Sequence, residues 1–215
     1  MPAPVHTRVH LLRHGEVFNP ERILYGRLPG FLLSDLGHKM AAMAADALAE
    51  KDITYLVSSP LERAQQTAQP LVERTGLDLV IDDRVIEAEN RFEGRAVAGG
   101  QGLIKLSHLP LVRNPFRPSW GEAYTTIRDR MIPAVLAARD AARGHEAVIV
   151  SHQLPIWVTR LSAEGRRLWH DPRRRECTLA SVTTICFDRS DRMVGVEYDE
   201  PAGSLLPLAS AVAGA

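Results

Sequence analysis

The sequence predicts an α/β fold, a three-layer α/β/α sandwich with a mostly parallel central sheet. Short β-branched and apolar runs alternate with segments of helical periodicity along most of the chain. Residues that start and stop helices bracket the periodic segments. The 215 residues are 45% hydrophobic and 24% charged, an ordinary globular composition long enough for one sizeable core.

Residues 7–12 (TRVHLL) form the first strand, ended by the glycine at 15. Ser34 offers an N-cap for a helix over 35–50, where Met40, Met43, Ala44, Ala47 and Leu48 repeat at helical spacing. Residues 53–58 (ITYLVS) are the second strand. Ser59 and Pro60 supply a capping hydroxyl and a proline at the first helical position, so a helix runs from there to Gly76. Residues 77–81 alternate as a third strand. Residues 91–120 are rich in Gly and Pro and read as an irregular excursion over the active face. A long helix over 121–143, bent at Pro133, closes at Gly144. Residues 147–151 (AVIVS) are a buried strand, 154–164 a helix, and 181–187 with 193–198 a final strand pair. No repeat or linker interrupts this series, so residues 1–200 are read as one domain. Residues 201–215, uncharged side chains rich in Ala, Gly, Ser and Leu, read as a disordered tail.

Charge narrows the function. The 26 basic and 26 acidic residues cancel, which excludes a nucleic-acid binder working by bulk charge. Only Lys39, Lys51 and Lys105 are lysines, so 23 of the 26 are arginine. Coding drift accounts for most of that bias, and the rest would grip phosphate or carboxylate with a planar fork. Cys177 and Cys186 build no disulfide framework, so a reducing cytoplasm fits. The N-terminus lacks signal-peptide layout, and no run of about 18 apolar residues crosses a membrane.

In parallel α/β sheets, ligands bind beyond the carboxyl ends of the strands. Arg13-His14-Gly15-Glu16 follows the first strand, and Ser58-Ser59-Pro60-Leu61-Glu62-Arg63 the second. Glu87-Ala88-Glu89 follows the third, and His152-Gln153 follows residues 147–151. Taken singly, each of these is an ordinary surface or packed polar residue. Their convergence on one rim argues otherwise. His6, His10 and His14 are four apart, but on a strand that spacing is about 13 Å, too far for one metal ion. The chemistry that fits the rim is phosphoryl transfer through histidine. A neutral imidazole attacks phosphorus while its other nitrogen donates to a fixed acceptor. Arginines clamp the equatorial oxygens, and a carboxylic acid protonates the leaving oxygen and later activates water. No metal or other cofactor is required.

Leu11-Leu12-Arg13-His14-Gly15-Glu16 resembles the RHG signature of the histidine phosphatase superfamily, also called phosphoglycerate-mutase-like. The run from Gly26 to Gly37 (GRLPGFLLSDLG) resembles the family's G-x-x-D-x-P-L-[ST]-x-x-G segment. The run from Ser58 to Ala68 (SSPLERAQQTA) is similar to its S-S-P-x-x-R-A-x-x-T-A segment. Phe92-Glu93-Gly94 and Val150-Ser151-His152 resemble its E-G and second-histidine motifs. The resemblance implies that His14 is the nucleophile and that Arg13, Arg63 and His152 form the phosphate pocket. It implies Glu87 as general acid/base, with Glu89 as the alternative. The family acid lies eight residues before the Gly of its E-G, whereas Glu87 lies seven and Glu89 five before Gly94. Asn19 would add a phosphate or substrate contact, although it follows His14 one residue earlier than the family's asparagine. Glu122 resembles a G-E element with a supporting or capping role.

Arg113 and Arg117, in the excursion, are candidates for substrate recognition. Arg173-Arg174-Arg175 reads as a solvated turn, with steering of an anionic substrate as the alternative. The expected function is a metal-independent phosphomonoesterase acting on a small phosphorylated metabolite, with no nucleic-acid or membrane partner. A homodimer is an open alternative to a monomer. Phosphoglycerate mutase activity is the rival; against it, mutases of the family carry an E-R-H-Y-G-like segment where this chain has Glu89-Asn90-Arg91-Phe92-Glu93-Gly94. A catalytically dead phospho-ligand binder is the third reading.

Overall fold

The computed structural model describes residues 5–95 and 121–210. In chain order the strands are β1 (Thr7–Arg13), β2 (Ile53–Ser58), β3 (Leu79–Ile81), β4 (Glu146–Ser151), β5 (Val182–Phe187) and β6 (Met193–Asp199). The α-helices are α1 (Asp35–Ala49), α2 (Glu62–Thr75), α3 (Tyr124–Ala141) and α4 (Gln153–Ala163). One six-stranded sheet runs β3-β2-β4-β1-β5-β6. Pairings from β3 to β1 are parallel, while β5 and β6 join antiparallel.

Alternation along the central strands explains the layers. On β4, Ala147 and Ile149 pack with Val9 and Leu11 of β1 against Ile127, Met131 and Val135 of α3 and Ile156 of α4. Val148 and Val150 point to the opposite face, with Leu12, against Met40 and Ala44 of α1 and Ala64 and Leu71 of α2. The predicted sandwich with a mostly parallel sheet is therefore the observed fold. His10 is packed rather than catalytic in placement. Its Nδ1 meets Thr184 Oγ1 at 2.8 Å, and its Nε2 donates to Glu146 Oε2 at 2.6 Å.

Helix boundaries follow local chemistry. Ser34 caps α1 by accepting the Gly37 N–H, as its position predicts. Gly76 ends α2 at φ 70°, a left-handed conformation that costs glycine little. The expected start of α2 at Ser59-Pro60 is corrected to Glu62, because the backbone is still extended at Leu61 (φ −74°, ψ 135°), which is itself the N-cap and makes no side-chain cap bond.

The tail expectation is also corrected. Residues 201–210 are folded, with a 3₁₀ turn over Gly203–Leu208. Ala202 is buried, and Leu205, Leu206 and Ala209 pack against the α1/α2 side of the sheet. The Ser210 N–H donates to Glu16 Oε1 at 2.7 Å. An uncharged apolar stretch reads alike as a tail or as a segment docked on a core. Residues 211–215 lie outside the described residues, as does 96–120 with Arg113 and Arg117. No helix among the described residues is long and apolar enough to cross a membrane.

Candidate active site

Strand register brings the two histidines together. Arg13 on β1 pairs with Ser151 on β4, so the next residues, His14 and His152, leave the sheet side by side. Their ring centroids are 5.2 Å apart. Ser58 on β2 pairs with Val150, which sets Ser59 beside the same strand end. The Ser59 hydroxyl lies 2.8 Å from His152 Nε2. Its oxygen also accepts the Leu61 N–H at 3.4 Å, and His152 Nδ1 is buried without a protein hydrogen-bond partner.

His14 is fully buried, and its Nδ1 donates to the Gly15 carbonyl at 2.8 Å. A carbonyl only accepts, so the proton of the neutral ring is on Nδ1 and Nε2 keeps its lone pair. Burial, then the charges of Arg63 and Arg13, hold His14 well below the ordinary histidine value of 6.5. Burial and Arg63 do the same to His152.

Backbone packing locks the loop that carries His14. A Cβ on Gly15 would overlap the Gly37 carbonyl, and one on Gly37 would overlap the Glu16 carbonyl. The Gly15 N–H donates to Thr67 Oγ1 at 3.1 Å, and that hydroxyl donates to the Arg63 carbonyl at 2.7 Å. Glu16 accepts from the Ser34 hydroxyl and the Ser210 N–H.

Two arginines face this loop, each oriented by a neutral acceptor. Arg13 Nη1 donates to the Cys177 carbonyl at 2.7 Å, and Arg63 Nη2 to the Gly26 carbonyl at 2.6 Å. The Arg63 guanidinium also lies 4.7 Å from the centroid of the buried Tyr25 ring, itself stacked on Phe31.

Glu87 and Glu89 separate sharply. Glu87 is 3% exposed, its Oε1 accepts the Ala88 N–H at 2.8 Å, and burial raises it above the usual carboxylate value of 4.5. Its Oε2 lies 3.9 Å from His152 Nδ1. The Glu89 side chain is 70% exposed and paired with Arg27. A network fixes the Glu87 segment from behind. Arg27 Nε donates to the Glu87 carbonyl, and Arg130 Nη1 donates to those of Arg84 and Ile86. Both guanidiniums share Glu122, which gives that residue a supporting place. Asn19 commits both amide atoms to the backbone of Ile23, closing a turn over 19–23.

Six of the eight buried side-chain polar atoms without a protein partner, among the described residues, cluster here. They are Arg13 Nε, His14 Nε2, Arg63 Nε and Nη1, Glu87 Oε2 and His152 Nδ1. Buried polar groups normally find partners, so such a cluster belongs to a ligand site. Mostly donors beside one free imidazole nitrogen suit a compact oxyanion.

A family model described as histidine phosphatase superfamily (branch 1) matches residues 9–198. The chain belongs to this superfamily. The chain is 54% identical over 200 residues to the uncharacterized protein Rv0525 of Mycobacterium tuberculosis (strain ATCC 25618 / H37Rv), covering 93% of this chain and 98% of that one. It is 25% identical over 193 residues to a probable phosphoglycerate mutase GpmB of Escherichia coli (strain K12 / DH10B), covering 81% and 84%. Among solved structures it is similar to the mycobacterial glucosyl-3-phosphoglycerate phosphatase Rv2419c, with TM-score 0.71 and 25% identity over 90% of this chain and 97% of that one.

Five predicted residues, Arg13, His14, Arg63, Glu87 and His152, thus meet on one rim. Sequence reading missed Tyr25, which carries no motif signal. It also missed the bond between Ser59 and His152, because Ser-Pro is a stronger cue for a helix start than for a histidine partner.

Proposed function

We propose that this member of the histidine phosphatase superfamily is a phosphomonoesterase that forms a phosphohistidine on His14. One observation carries the reading: Nδ1 is tied to the Gly15 carbonyl, and Nε2 is buried, neutral and free among Arg13, Arg63 and His152. The Nε2 lone pair attacks phosphorus as the bond from phosphorus to the ester oxygen breaks. Arg13, Arg63 and His152 receive the charge on the equatorial oxygens. Oε1 of Glu87 accepts an N–H, so the acid proton sits on Oε2 and passes to the leaving oxygen. The resulting carboxylate then takes a proton from water, which attacks phosphohistidine, releases inorganic phosphate and restores His14. Two guanidiniums supply the positive charge, so no metal enters the scheme. Glu87 is preferred over Glu89 because only Glu87 is buried with its free oxygen beside the histidines.

The substrate is a small phosphorylated metabolite. Support comes from the solved relative named as a phosphatase. Mutase activity is the second reading, favoured by the relative named as a probable phosphoglycerate mutase. A turnover screen over phosphorylated metabolites in the presence of EDTA separates them. Phosphate release expresses the first reading, and isomerisation of 3-phosphoglycerate without release expresses the second. Neither product with any substrate leaves only a phospho-ligand binder.

A further inference from the structure

Twelve arginines among the described residues have a carboxylate within 4.0 Å. Three are withdrawn from solvent without one: Arg13, Arg63 and Arg175. The first two form the phosphate pocket. Arg175 was expected to share a solvated turn with Arg173 and Arg174. Those neighbours are exposed, and Arg173 pairs with Asp171, while Arg175 turns inward and is half-buried. The adjacent carboxylate, Glu176, belongs to Arg160 at 2.8 Å. Residues 96–120 contain no Asp or Glu, so they supply no carboxylate either.

Neutral groups hold Arg175 in place. The His170 Nδ1–H donates to the Leu168 carbonyl at 2.7 Å, so its Nε2 accepts, and Arg175 Nε donates to it at 2.9 Å. Arg175 Nη1 reaches Gln153 Oε1 at 3.4 Å, and the hydroxyl of the buried Tyr124 adjoins the guanidinium. This repeats the arrangement at Arg13 and Arg63, where carbonyls orient a cation without neutralising it. Burial lowers Arg175 below the ordinary arginine value, as it does Arg63. Both stay cationic. A partly desolvated cation fixed by neutral acceptors is costly without an anion and gains strongly when one arrives.

Arg175 also connects to the phosphate pocket. Gln153 Nε2 donates to the Cys177 carbonyl at 3.2 Å, the same oxygen that accepts Arg13 Nη1. Gln153 itself directly follows His152. One side-chain amide and one carbonyl thus separate the Arg175 fork from the Arg13 fork.

We propose that Arg175, steadied by His170 and Gln153, is a second anion subsite that takes a carboxylate on the alcohol portion of the phosphate ester. Charge matching favours a carboxylate. Two uncompensated cations serve the phosphate dianion, and one remains for a monoanion whose two oxygens fit the guanidinium fork. The proposal rests on the phosphomonoesterase reading for the identity of the first anion.

Non-hydrolysable probes test the subsite without turnover. 4-Phosphonobutyrate and butylphosphonate differ only in a terminal carboxylate, so butylphosphonate is each protein's own reference. Calorimetry should show the wild-type chain binding 4-phosphonobutyrate about tenfold to a hundredfold more tightly, the ratio carried by a charge-assisted pair. Arg175→Gln should bring that ratio close to one, and Arg175→Lys should leave it intermediate. A wild-type ratio near one, or a ratio that Arg175→Gln does not lower, overturns the subsite. p-Nitrophenyl phosphate turnover by the same wild-type preparation is measured alongside. Turnover with a ratio near one removes the subsite and leaves the phosphatase reading. A high ratio abolished by Arg175→Gln, without turnover, removes the phosphatase reading and keeps the subsite.

Discussion

Replacing Glu87 by Gln tests the assignment of the acid. Glutamine keeps the volume of the buried side chain, and its carbonyl can still accept the Ala88 N–H. What it lacks is the transferable proton on Oε2. A positioned general acid contributes about 10²–10⁴-fold, or about 2.7–5.5 kcal/mol of barrier, where the leaving oxygen is basic. An alkyl phosphate needs that proton, whereas p-nitrophenolate leaves without it. Rapid-mixing first turnovers isolate the step. Glu87→Gln should slow alcohol release from an alkyl phosphate by about 10²–10⁴-fold and the p-nitrophenolate burst by less than about tenfold. Burial raises Glu87 above 4.5, so its acid form persists to higher pH. The wild-type alkyl phosphate rate should accordingly decline as pH rises through that raised value, while the p-nitrophenolate burst should lack this limb. Equal slowing of both esters would refute the reasoning. So would selective slowing in Glu89→Gln, whose exposed carboxylate is paired with Arg27.

His14→Ala should abolish the acid-labile phosphoenzyme and lower turnover by about 10³-fold or more, read by phosphate labelling; persistent labelling would move the nucleophile elsewhere. Gly37→Ala should cost about 3 kcal/mol or more in chemical denaturation, because its Cβ would overlap the Glu16 backbone beside the His14 loop. A loss under about 1 kcal/mol would show that the loop shifts freely. Acid should destabilise the fold just below the ordinary histidine value. His14 and His152 are held well below 6.5, so below that pH the unfolded chain binds protons that the folded chain excludes. Glu87 acts in the opposite sense, its stabilisation being full below 4.5 and lost as pH rises through its raised value. With that opposing carboxyl removed in Glu87→Gln, the two histidines leave the chain about 1 kcal/mol or more less stable at pH 5.5 than at pH 7.5. Equal denaturation midpoints would contradict the assigned neutral histidines.

Much of this was legible in one dimension. Strand runs, helix caps and the order of elements depend on neighbours within a few residues, so the α/β alternation and the Ser34 cap could be read directly. His14, Arg63 and His152 stood out because the ends of parallel strands share one rim. Glu87 and Glu89 could not be separated that way. They are two residues apart in sequence, and their difference is burial, which depends on Arg27, Arg130 and Glu122 packing behind the segment.

The same limit applies to the arginines and the tail. Arg173, Arg174 and Arg175 are identical letters in a row, yet only the third meets His170 and Gln153. Residues 201–210 look like an appendage until Leu205 and Leu206 find the sheet and Ser210 finds Glu16. The sequence by itself determined the class of fold, the neutral overall charge and which residue types stand at the strand ends, because these follow from composition and local periodicity. Tertiary structure alone decided which of those groups lose water, which nitrogen of His14 is free and which arginines lack a carboxylate. Desolvation and hydrogen-bond pairing are set by contacts between residues far apart in the chain, and local sequence carries no record of them.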